Sequence, residues 1–296
     1  MNIIIGKYSG FCNGVKYTVD EAIKALVKYK KVYCLGQIVH NERVIKDLEE
    51  KGMISINTID ECPNNSKLII RAHGELKKVY DMAKEKQIEI IDLTCGKIKV
   101  IRNKISKKIN DYYIVIIGKK NHPETLGVKS FSGNNCSIIE NEDDLEALYK
   151  DIKKSKLKKV YIVSQTTFND ENFEYLTKII SEKINKDIII DKTICNATYN
   201  RQQETDNISK KVNIMIIIGG KNSSNTKELE VISKKNCERV YLLQDTKELS
   251  KININKDTTV GIMAGASTPE NVINEFLDYL NNLNIWKNLT FILFIV

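Results

Sequence analysis

Three cysteines stand where chemistry is expected in the 296-residue chain: Cys12, Cys95 and Cys195. Each closes an apolar run and is followed at once by a helical pattern, in N-I-I-I-G-K-Y-S-G-F-C, I-I-D-L-T-C and D-I-I-I-D-K-T-I-C. The chain has seven cysteines and no C-x-x-C pair, which argues against a zinc ribbon or a thioredoxin-type site. Cys34 lies inside an apolar run, Cys62 precedes Pro63, and Cys136 and Cys237 fall near strand starts, so packing or exposure accounts for those four. Three thiolates converging on one axis suit an iron–sulfur cluster. A [4Fe–4S] cube normally takes four thiolates; with three, one iron keeps an open position and can act as a Lewis acid toward a substrate oxygen.

Polar residues gather at the same strand ends. All three histidines, His40, His73 and His122, fall in these loops. Zinc is one use for them, but without a close His-x-His or His-x-x-x-His pair anion binding is the better reading. Ser223, Ser224 and Asn225 precede a helical pattern, Ser267 precedes a helix start at Thr268-Pro269-Glu270, and Thr166 and Thr167 stand in S-Q-T-T-F. Helix amino termini carry unsatisfied N–H groups and partial positive charge, so such loops suit phosphate. Singly each serine reads as an ordinary N-cap; beside the histidines they point to a phosphate or diphosphate pocket. Glu124, two residues past His122 with Pro123 between, has two open readings. It is a general acid that protonates a leaving hydroxyl, or a first-turn carboxylate that stabilises its helix.

The elements that position these residues repeat. Cys12, Cys95 and Cys195 are followed by Gly36, Gly118 and Gly219 at offsets of 24, 23 and 24, each glycine closing an apolar run. Four residues past each glycine stand His40, His122 and Ser223. From those positions to His73, Thr166 and Ser267 in the next loops is 33, 44 and 44 residues. The pattern is an internal threefold repeat of strands alternating with helices. Units one and two end in a fourth strand, Ile88 to Leu93 and Asp187 to Ile190, each after a helix (Leu76 to Gln87 and Glu171 to Lys186). The third unit's helix, Pro269 to Asn284, has no strand after it, so Asn2 to Ile5 is expected to complete that sheet. The expected fold is α/β: three small parallel-sheet domains related by pseudo-threefold symmetry, a trefoil around a central cluster, with ligands at the carboxyl strand ends. The boundaries are 12–94, 95–194 and 195–284, with strand 1–11 added to the last and a tail at 285–296.

A chain that is 42% hydrophobic and 28% charged can bury a large core. Met1 to Gly10 lacks the long apolar stretch of a secretory signal, and the terminal L-T-F-I-L-F-I-V is far short of a membrane span. A cytoplasmic, reducing setting is therefore expected. The tail reads as an added edge strand or a frayed end. The net charge of +8 comes mainly from lysines spread over helix faces with few aromatics interleaved, which describes a solvated surface rather than a nucleic-acid groove.

Nine motifs in order carry a resemblance: G-F-C-N-G-V at Cys12, G-Q-I-V-H-N at His40, R-A-H-G at His73, D-L-T-C at Cys95, H-P-E at Glu124, S-Q-T-T at Thr166, T-I-C-N-A-T-Y-N-R-Q at Cys195, K-N-S-S-N at Ser223 and A-G-A-S-T-P at Ser267. Together they resemble the 4-hydroxy-3-methylbut-2-enyl diphosphate reductases, oxidoreductases that close the non-mevalonate isoprenoid pathway. The resemblance implies a [4Fe–4S] cluster on Cys12, Cys95 and Cys195. It implies diphosphate binding by His40, His73, Ser223, Ser224, Asn225 and Ser267, with His122 lining the site, Thr166 or its neighbour Thr167 near the substrate hydroxyl, and Glu124 as proton donor. It also implies a ferredoxin or flavodoxin as electron donor, and neither nucleic acid nor membrane as partner. Two departures stand out: Gly96 replaces a usual proline, and Trp286 to Val296 matches nothing in the family. The rival readings are a quinolinate-synthase-like dehydratase sharing the three-cysteine cluster, and a non-enzymatic iron–sulfur sensor or basic RNA-binding protein.

Overall fold

The computed structural model describes residues 1–293. Short Ile- and Val-rich runs form strands β1 (Asn2–Ile5), β2 (Val32–Leu35), β3 (Met53–Ile56), β4 (Lys67–Ile70), β5 (Glu89–Asp92), β6 (Tyr112–Ile117), β7 (Cys136–Ile139), β8 (Lys159–Ser164), β9 (Asp187–Asp191), β10 (Ile214–Ile218), β11 (Val240–Leu243) and β12 (Thr259–Ala264). Between them run α1 (Asn13–Tyr29), α2 (Glu42–Glu49), α3 (Lys77–Glu85), α4 (Gly96–Ser106), α5 (Pro123–Ser130), α6 (Leu145–Lys154), α7 (Asp170–Lys183), α8 (Asn196–Ser209), α9 (Ser224–Lys234) and α10 (Glu270–Leu293).

The strands make three four-stranded sheets, in the orders β3-β2-β4-β5, β7-β6-β8-β9 and β11-β10-β12-β1. Every neighbouring pair is parallel. The three orders are the same order, except that the last place in the third sheet is filled from the amino terminus, with Asn2 beside Thr259 and Ile5 beside Ile262. The expectation of an α/β chain with three small parallel sheets is met.

The chain packs as two units. One contains Met1–Cys12, His40–Val44 and the chain from Ala197 on, and it holds the third sheet. Ile214, Ile216 and Ile218 of β10 with Val260, Ile262 and Ala264 of β12 turn one face toward Val272, Ile273, Phe276 and Leu280 of α10. Met215, Ile217 and Met263 turn the other toward Ile208 of α8 and Leu229 of α9. Helices on both faces explain why β10 is apolar at every position instead of alternating.

The second unit, Asn13–Val39 and Ile45–Asn196, holds the other two sheets. In β6, Tyr113, Val115 and Ile117 pack on Phe173, Leu176 and Ile180 of α7. The alternate residues Ile114 and Ile116 pack on Ile98, Ile101 and Ile105 of α4 and Val128 of α5. The 98, 101, 105 spacing gives α4 one apolar stripe, which presses it to the sheet. Tyr33, Leu35, Leu68 and Ile70 bury against Val79 and Ala83 of α3 in the same way.

Of the two readings of the carboxyl-terminal tail, an added edge strand or a frayed end, the edge strand is corrected. Instead of an edge strand, α10 continues without a break from Glu270 to Leu293, because no glycine or proline interrupts that stretch; residues 294–296 lie outside the described part. Among the described residues no helix is long and apolar enough to cross a membrane.

Phe276 is fully buried where α10 meets β10 and β12. Phe276→Ala should cost about 3–5 kcal/mol of stability, measured as a lowered denaturation midpoint in urea; a midpoint like that of the parent would contradict this packing.

Candidate active site

Each of the three cysteines is held by the same backbone bond. The Cys12 N–H donates to the Ala266 carbonyl at 3.2 Å, Cys95 to Ala72 at 2.9 Å and Cys195 to Thr166 at 3.0 Å. Each acceptor lies just past the carboxyl end of a strand, β12, β4 or β8, and each cysteine directly precedes a helix, α1, α4 or α8. All three side chains are half-buried, while Cys34, Cys62 and Cys237 are buried. Burial pushes the Cys34 thiol up to about 12 and the Cys136 thiol to about 11, so those two stay protonated packing groups at neutral pH. At Cys95 the cap geometry is explicit: its carbonyl accepts from the N–H groups of Ile98 and Lys99. A Cβ on Gly96 would meet nothing within 4 Å.

These bonds also set the loop register. They make Ala72, Thr166 and Ala266 equivalent, and therefore His73, Thr167 and Ser267 as well. The sequence offsets had matched Thr166 to Ser267; the bonding moves the match by one residue.

In the second unit His122 caps α5: its Nδ1 accepts the Glu124 N–H at 3.2 Å, which leaves Nε2 to carry the proton of a neutral ring. The His73 and His122 rings meet edge to face, with centres 5.4 Å apart. Glu124 is buried, at 2% exposure. Its Oε1 accepts the Thr166 N–H at 2.6 Å, and its Oε2 lies 2.8 Å from the Thr166 hydroxyl. Burial pushes its carboxyl up to about 7, against the opposing pull of the two Thr166 bonds and of the Arg102 charge. Glu124 also stands in the first turn of α5, so its place in the helix and its burial are both present. Thr167 differs from its neighbour: its hydroxyl accepts from Gln165 Nε2 at 2.9 Å, while Gln165 Oε1 accepts the Lys119 N–H at 2.9 Å.

In the first unit Ser223 caps α9, accepting the Thr226 N–H at 3.2 Å. Ser267 Oγ donates to the His40 carbonyl at 3.1 Å. A side chain on Gly220 would collide with that same carbonyl, so only glycine admits this close approach. Ser223, Ser224, Asn225 and Ser267 are all buried. Asn225, at 4% exposure, has a hydrogen-bond partner on neither Oδ1 nor Nδ2. A buried amide with both ends unmet, in the first turn of an 11-residue helix, is costly unless a ligand completes it.

Several contributors were not anticipated. Gln165 orients Thr167, and a buried charged group lies behind His73: Glu75, whose Oε1 is 2.6 Å from Arg71 Nε, and Arg102. Burial raises the Glu75 carboxyl above its ordinary value although Arg71 pulls it down. The sequence did carry a signal for Arg102, a charged residue at an apolar-stripe position of α4 beside Ile98, Ile101 and Ile105.

The model of the LytB protein family matches residues 3–281. The chain belongs to the LytB family. It is 38% identical over 282 residues to the 4-hydroxy-3-methylbut-2-enyl diphosphate reductase of Thermoanaerobacter sp. (strain X514), covering 94% of this chain and 96% of that one. To the reductase of that name in Clostridioides difficile (strain 630) it is 37% identical over 288 residues, 96% of this chain and all of the other. Among solved structures, the E-1-hydroxy-2-methyl-but-2-enyl-4-diphosphate reductase from Plasmodium falciparum superposes with a TM-score of 0.82 at 28% identity, over 94% of this chain and 87% of that. A structure described as (E)-4-hydroxy-3-methyl-but-2-enyl diphosphate reductase, the terminal enzyme of the non-mevalonate pathway, gives 0.68 at 31% identity, over 95% of this chain and 100% of that. Full-length membership in the LytB family displaces the dehydratase, sensor and RNA-binding readings.

The carboxyl of Glu124 gives a sign that can be checked in this LytB chain. Raised from 4.5 to about 7, it binds its proton more tightly folded than unfolded. Its contribution to stability is therefore full below about pH 4.5 and is lost as pH rises to about 7. Glu124→Gln removes that dependence, on the order of 3 kcal/mol. The variant's thermal midpoint should exceed the parent's above pH 7 and lose that advantage near pH 5; parallel pH profiles would contradict the burial argument.

Proposed function

We propose that the chain reduces (E)-4-hydroxy-3-methylbut-2-enyl diphosphate to isopentenyl and dimethylallyl diphosphate. Two electrons and two protons are taken up, the C–O bond of the allylic alcohol breaks, water leaves, and a C–H bond forms on the allyl fragment. The observation that carries this reading is the match along nearly the whole chain to reductases of that name.

The donor set fits a [4Fe–4S] cluster. Cys12, Cys95 and Cys195 are half-buried thiols, each directly before a helix, and they share one backbone environment. They would hold it, and the bound cluster supplies electrons and an iron with a free position that can polarise the substrate hydroxyl. Ferredoxin or flavodoxin suits the supply of single electrons.

The remaining work falls to the chain's own groups. His40, His73, Ser223, Ser224, Asn225 and Ser267 bind the diphosphate while His122 lines the substrate site, and the unmet amide of Asn225 is the group whose cost the substrate relieves. Glu124 delivers a proton to the leaving hydroxyl; with its carboxyl near 7 it holds a proton at neutral pH and can release it. Thr166 keeps that carboxyl in place through its N–H and places its own hydroxyl against Oε2, a route for the proton. Thr167 is steered by Gln165 instead, so of the two threonines Thr166 is the one joined to the acid. The shared strand order supports three repeat units, 12–94, 95–194 and 195–284, the last joined by strand 1–11.

The test is anaerobic oxidation of a reduced viologen dye by iron-loaded protein. Oxidation that requires the hydroxymethylbutenyl diphosphate is expected; none, in protein holding about four irons per chain, would overturn the reading. Cys195→Ser should lose the cluster absorption band, and a full band would remove Cys195 as a ligand. Glu124→Gln should keep that band and bind substrate while turnover drops by about 10²–10⁴; near-parent turnover would end the role given to Glu124.

A further inference from the structure

Arg102 is 8% exposed on α4, seven residues after Cys95. Its guanidinium joins three other segments of the same unit. One nitrogen, Nη2, donates to the Glu75 carbonyl at 3.0 Å, two residues past His73. The other, Nη1, donates to the Tyr80 hydroxyl of α3 at 3.1 Å. The plane lies over the Phe131 ring at the end of α5, with Cζ 4.7 Å from its centre. Glycine stands on two sides: a Cβ on Gly74, which has φ +76°, would strike Nη2, and one on Gly127 of α5 would come within 3.0 Å of it. The cation thus fills the space between the His73 turn and α5, the helix that His122 caps.

We propose that Arg102 is a positioning residue that fixes the His73 turn against the body and carboxyl end of α5, setting the approach of the His73 and His122 rings. A packing role alone could be filled by any side chain of that size. The planar fork, with one arm on a backbone carbonyl of the His73 turn and its face on an α5 neighbour, does what lysine cannot. Its charge also favours the ionised forms of the buried Glu75 and Glu124 carboxyls, which flank the same turn and helix.

The proposal rests on the diphosphate reading for its effect on binding but not for its geometry, and the test separates the two. Parent, Arg102→Lys and Gly127→Ala proteins, iron-loaded, are compared by affinity for inorganic diphosphate and by the imidazole resonances of the chain's three histidines. Gly127→Ala crowds the guanidinium while placing a better helix former in α5, so it keeps the fold if Arg102→Lys does not. Both variants should shift the His73 and His122 resonances and weaken diphosphate binding about tenfold. Unmoved His73 and His122 resonances in both variants overturn the proposal. So does a binding loss confined to an unfolded Arg102→Lys while Gly127→Ala matches the parent. Failure of the parent itself to bind diphosphate would count against the diphosphate reading, and the resonances would still decide the role of Arg102.

Discussion

A single backbone hydrogen bond, made three times, governs this chain. The N–H of Cys12, Cys95 or Cys195 donates to a carbonyl just past the end of a neighbouring strand. The bond is available only because parallel strands end on the same side of their sheet, so that the loop after one strand lies beside the loop after the next. Each thiol is then fixed twice, by that carbonyl behind it and by the helix that begins immediately after it. The sheets, buried on both faces, make these loops stiff supports.

The second constraint is the cost of burying charge. Glu124 and Glu75 are carboxyls in the interior, and burial raises both. Neither is left bare: Thr166 meets Glu124 with an N–H and a hydroxyl, Arg71 meets Glu75, and Arg102 lies in the field of both. Thr166 also accepts the bond from Cys195. The acid and one thiol are therefore linked through one residue, and a shift of the β8 loop would be felt at both.

Much of this was legible from residue types and spacing. The offsets from each cysteine to its glycine and to His40, His122 or Ser223 follow from strand and helix lengths that repeat, so counting recovers the three sheets of like strand order. The missing fourth strand after α10 pointed to Asn2–Ile5, which pairs with β12. Counting failed where one residue matters. It matched Thr166 to Ser267, whereas the cysteine bonds match Thr167, because the loops differ by a residue that strand spacing does not record. It gave α10 an end near Asn284, but no breaking residue stops the helix there. Arg102 was visible as a charge on an apolar stripe, yet its partners come from 22 to 29 residues away and no local pattern names them.

The sequence by itself determined the parallel α/β class, the three cysteines at strand ends, the polar loops beside them and the order in which they occur, because periodicity and element length are local properties of the chain. Only the tertiary structure decided which threonine holds Glu124, that its carboxyl is raised to about 7, and that Asn225 is buried with its amide unmet. Those outcomes depend on burial and on which groups meet across distant segments. Proton affinity and the cost of an unmet hydrogen bond are set by surroundings that no stretch of sequence contains on its own.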